Sequence, residues 1–171
     1  KVSRIFVCYG GSDPSNETAK ALAAIKLLPG NPLPVDVVVG LSNPHGSLVA
    51  MLCEELPGVV LHRGADNVAE LMGRADLAIG AGGVMNWERC CLGLPTVAVD
   101  VAGNQVGSLT ALAAIGALVH LGAAASVTEE GMAQALDSML RNSEQLRRMS
   151  EVALGLVDGD GAERVRGAVF C

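Results

Sequence analysis

Ser3-Arg4-Ile5-Phe6-Val7-Cys8-Tyr9-Gly10-Gly11 is a run of β-formers that stops at a glycine pair. Its apolar residues follow one another instead of alternating with polar ones, which predicts a strand covered on both faces. The segment after it, Asn16 to Leu28, spaces Ala19, Leu22, Ala23 and Ile25 as a helix does. Pro14 and Ser15 stand at its start and Pro29-Gly30 at its end, where a proline, a hydroxyl cap and a breaker are tolerated. A buried strand, a glycine turn and a helix open a βαβ unit.

Outward from there the alternation recurs. Strands are expected at Val35 to Val39, Val59 to His62, Asp76 to Ile79, Thr96 to Val99 and Ala117 to Leu121. Helices are expected at His45 to Leu56, Asp66 to Gly73, Trp87 to Leu92, Gln105 to Ile115, Met132 to Leu140 and Ser143 to about Leu156, with a turn or two in Ala162 to Val169. Thr128-Glu129-Glu130 has the pattern of a helix start, a capping hydroxyl followed by acids. This order predicts an α/β fold, a doubly wound Rossmann-like parallel sheet of about six strands in the order 3-2-1-4-5-6. Right-handed crossovers then bring every strand-to-helix loop to the carboxyl edge, where ligands of such sheets bind. With 171 residues, no internal repeat and no linker, residues 1–171 are read as one domain.

Half of the residues are apolar and 18% are charged, which argues against a disordered chain. Aromatics are scarce at 2%, so the core must be aliphatic. The net charge is −6, and Arg147-Arg148 is the one adjacent basic pair. Nucleic acid and anionic membranes, which need a basic stripe, are disfavoured as partners. A small anion remains open, because backbone N–H groups alone can hold a phosphate. The five cysteines, Cys8, Cys53, Cys90, Cys91 and Cys171, show no CxxC spacing. They are read as buried reduced thiols of a cytoplasmic protein, with no metal site. No signal peptide and no apolar run of membrane-spanning length is visible. The chain starts at Lys1 and runs almost at once into a strand, so it is expected to be part of a longer protein.

Two glycine clusters fall at the carboxyl edge. Gly10-Gly11-Ser12-Asp13 follows the first strand and Gly80-Ala81-Gly82-Gly83 the fourth, and these strands are neighbours at the switch point of the expected order. Glycine N–H groups and a helix N-terminus between them make an anion site; neither loop is a GxGxxG or Walker A sequence. The alternative is that these glycines only turn the chain. Glu88, one turn into the next helix, could accept both hydroxyls of a ribose, or could be an ordinary first-turn acid that favours the helix dipole. Asn104-Gln105 suits sugar hydroxyls or an N-cap, and Asp66-Asn67 a base edge or plain capping. His45, His62 and His120 have no Ser, Cys or Asp partner at a recognisable spacing, which disfavours a metal or triad role, and His62 and His120, in or beside expected strands, are read as structural. Trp87 is expected in the helix–sheet interface, and Asp13 and Asp100 stand at the edge as conceivable bases.

Gly10-Gly11-Ser12-Asp13-Pro14, Asp36-Val37-Val38-Val39-Gly40, Asp66-Asn67-Val68-Ala69-Glu70-Leu71, Ala75-Asp76-Leu77-Ala78-Ile79-Gly80-Ala81-Gly82-Gly83, Trp87-Glu88-Arg89-Cys90-Cys91-Leu92-Gly93-Leu94-Pro95 and Asn104-Gln105 occur in that order. Together, over residues 3 to about 125, they resemble the UDP-sugar hydrolases of the pseudaminic acid pathway. Those enzymes release UDP from UDP-2,4-diacetamido-2,4,6-trideoxy-β-L-altrose. More distantly, the layout is similar to the UDP-GlcNAc-using glycosyltransferase that makes lipid II. The resemblance implies the C-terminal, UDP-binding half of a two-domain GT-B protein. It implies that Gly11 and Ser12 face the diphosphate or sugar, and that Gly82, Gly83 and Val84 hold phosphate. Glu88 would take the ribose diol, Ala65 and Val68 would read uracil, and Asn104 and Gln105 would touch the sugar. No cofactor is implied. The partners implied are a UDP-sugar and an N-terminal half bearing the catalytic histidine. A glycosyltransferase donor half and a non-catalytic nucleotide-sugar module are the alternatives. Two departures stand out: Val84-Met85-Asn86 replaces small hydroxyl residues, and Gly103 replaces an acid before Asn104-Gln105.

Overall fold

Strands that are apolar on both sides can only be satisfied in the middle of a sandwich, and the four central strands of the sheet lie there, with the two edge strands partly exposed. The computed structural model describes residues 1–170; Cys171 lies outside them. The strands are β1 (Ile5–Cys8), β2 (Val35–Val39), β3 (Val59–Arg63), β4 (Leu77–Ala81), β5 (Thr96–Asp100) and β6 (Val119–Ala123). They form one sheet in the order β3-β2-β1-β4-β5-β6, with every pairing parallel. The helices are α1 (Glu17–Lys26), α2 (Gly46–Glu54), α3 (Val68–Gly73), α4 (Met85–Cys91), α5 (Gly103–Ala114), α6 (Glu129–Arg141), α7 (Ser143–Leu154) and α8 (Gly161–Val169).

The two-residue period of the strands divides the core. Ile5, Val7, Val37, Leu77, Ile79, Val97 and Val99 face Leu22 of α1, Val49 of α2 and Met132 and Leu136 of α6. On the other face Phe6, Cys8, Val38 and Ala78 pack with Leu71 and Met72 of α3. Further along that face Ala98 packs with Leu109 and Leu112 of α5 and with Cys90 of α4. The Thr128 hydroxyl accepts from the Gly131 N–H at 3.1 Å, the cap its sequence predicts.

Two expectations change. The sixth strand starts at Val119 and not Ala117, because the Ala117 N–H donates to Leu112 O to close the turn after α5, and Ala117 and Leu118 pack beneath that helix. Trp87 is not in the helix–sheet interface: it is 46% exposed. Helix α4 has seven residues, and its buried face is taken by Asn86, Arg89 and Cys90, which turns Trp87 outward. Cys8, Cys53 and Cys90 are buried and Cys91 is half-buried, all four as free thiols.

Candidate functional site

The register of the central strands sets the site. Cys8 pairs with Gly80, so the chain leaves β1 and β4 side by side at the carboxyl edge. The loops after the strands then close up to distances that no side chain would permit. A Cβ on Gly40, after β2, would lie 2.0 Å from Gly11 O. A Cβ on Gly82 would lie 2.4 Å from Leu109 of α5, so the helix carrying Asn104 and Gln105 abuts the loop after β4. Gly10 takes a φ of 92°, which a side chain would resist.

In the loop after β4, the Gly82 N–H donates to Val99 O; the next loop amides to find backbone acceptors are Asn86, to Gly83 O, and Trp87, to Val84 O. The N–H groups of Gly83 and Val84 have no acceptor among the described residues. Met85 packs with Ala65 and Val68 against the Phe6 and Cys8 face, which gathers these segments around the ends of β1 and β4. Gly11, Ser12, Gly83, Val84, Glu88 and Asn104 are exposed. The Glu88 carboxylate makes no hydrogen bond or ion pair among the described residues. It lines a groove of about 640 Å³ with Met72, Trp87, Leu92, Leu156 and Arg164, on the side of α4 toward α3 and α8. Gln105 is committed locally, its side-chain oxygen accepting from the Val101 N–H at 3.0 Å. Ala102, not Asn104, holds the N-cap position of α5. Asn67 precedes α3 without capping it through its side chain.

Asp13 is a structural residue. It is 3% exposed, and its two oxygens accept from the Glu17 and Thr18 N–H groups, each at 2.9 Å. His62 and His120 do have acid partners. His62 Nε2 is 2.8 Å from Asp36 Oδ1, and His120 Nε2 is 2.7 Å from Asp100 Oδ1. Arg4 Nη1 meets the other Asp36 oxygen at 2.8 Å. Burial alone would raise the Asp36 carboxyl, but hydrogen bonds from His62 and Arg4 outweigh it and hold it below the usual carboxylate range. Both pairs bridge neighbouring strands, so no sequence spacing announces them.

Arg89 went unread in the sequence. It is 2% exposed, beneath the loop, and forms no ion pair among the described residues. Its Nε donates to Met85 O at 3.2 Å, and Nη2 donates to Ala81 O at 2.6 Å and to Asn86 Oδ1. Desolvation pulls its pKa down to about 10. The Cys8 and Cys90 thiols nearby are pushed up by burial, so they are neutral and supply no counter-charge. Arg89 stands four residues after Met85 on the inward face of α4, opposite Gly80 of β4, a placement that the tertiary packing and not the sequence reveals. Among the described residues no three His, Cys, Asp or Glu side chains are grouped to hold a metal, and no helix is long and apolar enough to cross a membrane.

Comparison with solved structures identifies the architecture. MurG of Acinetobacter baumannii superposes with a TM-score of 0.75 at 22% identity, over 96% of this chain and 51% of that one. The fold is that of the C-terminal half of a GT-B protein. The spinosyn rhamnosyltransferase SpnG, in complex with thymidine diphosphate, superposes with a TM-score of 0.72 at 19% identity, over 96% of this chain and 45% of that one. In sequence, the spore coat polysaccharide biosynthesis protein SpsG of Bacillus subtilis (strain 168) is 30% identical over 162 residues, 94% of this chain and 48% of SpsG. This chain therefore spans about half the length of that relative. Residues 44–108 match a family described as a protein of unknown function, DUF354.

Proposed function

We propose that the chain binds a nucleoside diphosphate-sugar and is the donor-binding half of a GT-B glycosyltransferase. The free N–H groups of Gly83 and Val84 carry this reading. They stand at the switch point of a fold that, in SpnG, is seen with thymidine diphosphate. The diphosphate lies against those two amides and Gly82, with Gly11 and Ser12 across from it. The unpaired Glu88 carboxylate accepts from the ribose hydroxyls, and Ala65 and Val68 border the base. Asn104, exposed and uncommitted, reaches the sugar, while Gln105, its oxygen taken by the Val101 amide, offers only its Nε2 donors. As the bond to the sugar breaks, charge grows on the diphosphate, and amides fixed in advance stabilise it there.

A hydrolase of the pseudaminic acid type is the second reading, supported by the ordered motif set from Gly10 to Gln105. Both readings place the chemistry's acceptor and base in another half of the enzyme, and both place the protein in surface polysaccharide biosynthesis in the cytoplasm. Calorimetry of the 171-residue chain with UDP, UMP and ADP tests the shared core, with Glu88→Ala alongside. UDP is expected to bind more tightly than ADP, and Glu88→Ala to weaken it. Equal binding of ADP overturns the uridine assignment, and absence of binding overturns the function. Product analysis of the full-length enzyme with UDP-sugar separates transfer from hydrolysis.

A further inference from the structure

A buried guanidinium with no carboxylate partner is costly to any fold. The basic side chains of Arg4, Lys20, Lys26, Arg141, Arg147, Arg148, Arg164 and Arg166 all meet acids. Arg89 meets none. Its three hydrogen bonds use Nε and Nη2, and all go to neutral oxygens. Nη1 takes no part in them; it lies 2.6 Å from where a Gly80 Cβ would be, at the end of β4. Asn86, 2% exposed, turns its oxygen to Arg89 and leaves its Nδ2 without an acceptor. So under the loop whose Gly83 and Val84 amides are free stand a cation without a counterion and a buried amide donor without a partner. The unmet groups of the loop and of the Arg89–Asn86 pair beneath it are donors, and the one unpaired acid beside them, Glu88, is exposed.

We propose that Arg89 is a positioning residue for an anionic ligand: a buried counter-cation that shapes the loop after β4 through Ala81 and Asn86 and adds a fixed positive charge behind its amides. This rests on the reading of that loop as a diphosphate site. A charge held in low dielectric acts on a bound phosphate with little screening by salt. Its effect scales with ligand charge, whereas a loop merely braced by Arg89 serves charged and uncharged ligands alike.

The test compares uridine, UMP and UDP on the unaltered chain, Arg89→Met and Arg89→Lys. Arg89→Met is expected to weaken UDP about ten- to a hundredfold, the size of a unit charge acting across roughly 6–12 Å at an effective dielectric of about 20, to weaken UMP less and to leave uridine unchanged. Arg89→Lys is expected to restore most of the UDP affinity. In the unaltered chain, which needs no variant to fold, the Arg89 side-chain Nε resonance is expected to move with UDP and stay with uridine. An equal loss for all three ligands, an unchanged UDP affinity, or an Nε resonance unmoved at saturating UDP overturns the proposal. If UDP binds and Arg89→Met leaves it untouched, this inference alone fails. If UDP does not bind the unaltered chain, the nucleotide reading fails with it.

Discussion

Gly80→Ala is expected to destabilise the centre of the sheet, and the contacts its Cβ would make set the size of the effect. A Cβ at Gly80 would lie 2.3 Å from Cys8 O and 2.6 Å from Arg89 Nη1. Contacts below 3.0 Å are essentially never seen for a Cβ, so β1 and β4 must separate by at least 0.7 Å (3.0 − 2.3) where Cys8 pairs with Gly80. The obstacle is backbone on one side and a packed guanidinium on the other, and neither can swing aside as a free side chain would. Overpacking of this kind costs about 1–3 kcal/mol, and a weakened ladder hydrogen bond adds about 1. The sum, roughly 2–4 kcal/mol, lowers the Tm of a chain this long by about 5–15 °C. Gly83→Ala is the control: its Cβ meets nothing within 4 Å and its φ is not positive, so its effect should stay within about 0.5 kcal/mol. Thermal unfolding followed by circular dichroism reads both. A Gly80→Ala protein melting within about 2 °C of the unaltered chain would refute the account of how the two strands meet.

Asp13→Ala removes both carboxylate bonds at the start of α1. It should cost about 1–2 kcal/mol in urea unfolding; a cost near zero would mean the cap is idle. Because the Asp36 carboxyl is held below its unfolded value, its contribution is present above that value, about pH 3.9, and drains away as pH falls through the lower folded one. Asp36→Asn should therefore lose less stability than the unaltered chain between neutral pH and about pH 3, and identical losses would contradict the Arg4–Asp36–His62 arrangement. Trp87 is the sequence's single tryptophan and half-exposed beside Glu88. Its fluorescence should be quenched by iodide and should change as UDP binds; a shielded, unresponsive emission would place it back in the core.

The sheet was legible because its signals are local. Unbroken apolar runs such as Val35–Val39 mark covered strands, and glycine pairs after Tyr9 and Ala81 mark turns, so the alternation pointed to a doubly wound sheet and its usual strand order. The carboxyl edge and its loops were legible for the same reason. What stayed hidden depends on neighbours far apart in sequence. The acid partners of His62 and His120 stand on adjacent strands, 26 and 20 residues away. Asp13 reads as a conceivable base until its two amide partners are seen. Trp87 looked like core because it is large and apolar, yet a seven-residue helix has only one inward face, and Arg89 occupies it. That exchange of a tryptophan for an arginine at the inner face is the least expected feature of the site, and it follows from the space that Gly80 leaves open.

A crystal structure of this chain grown with UDP tests the central claim most directly. The account predicts the diphosphate against the Gly83 and Val84 N–H groups at the ends of β1 and β4, with the ribose hydroxyls on Glu88. A nucleotide seated elsewhere, for instance in the groove between α3 and α8, with those two amides left to water, would contradict it.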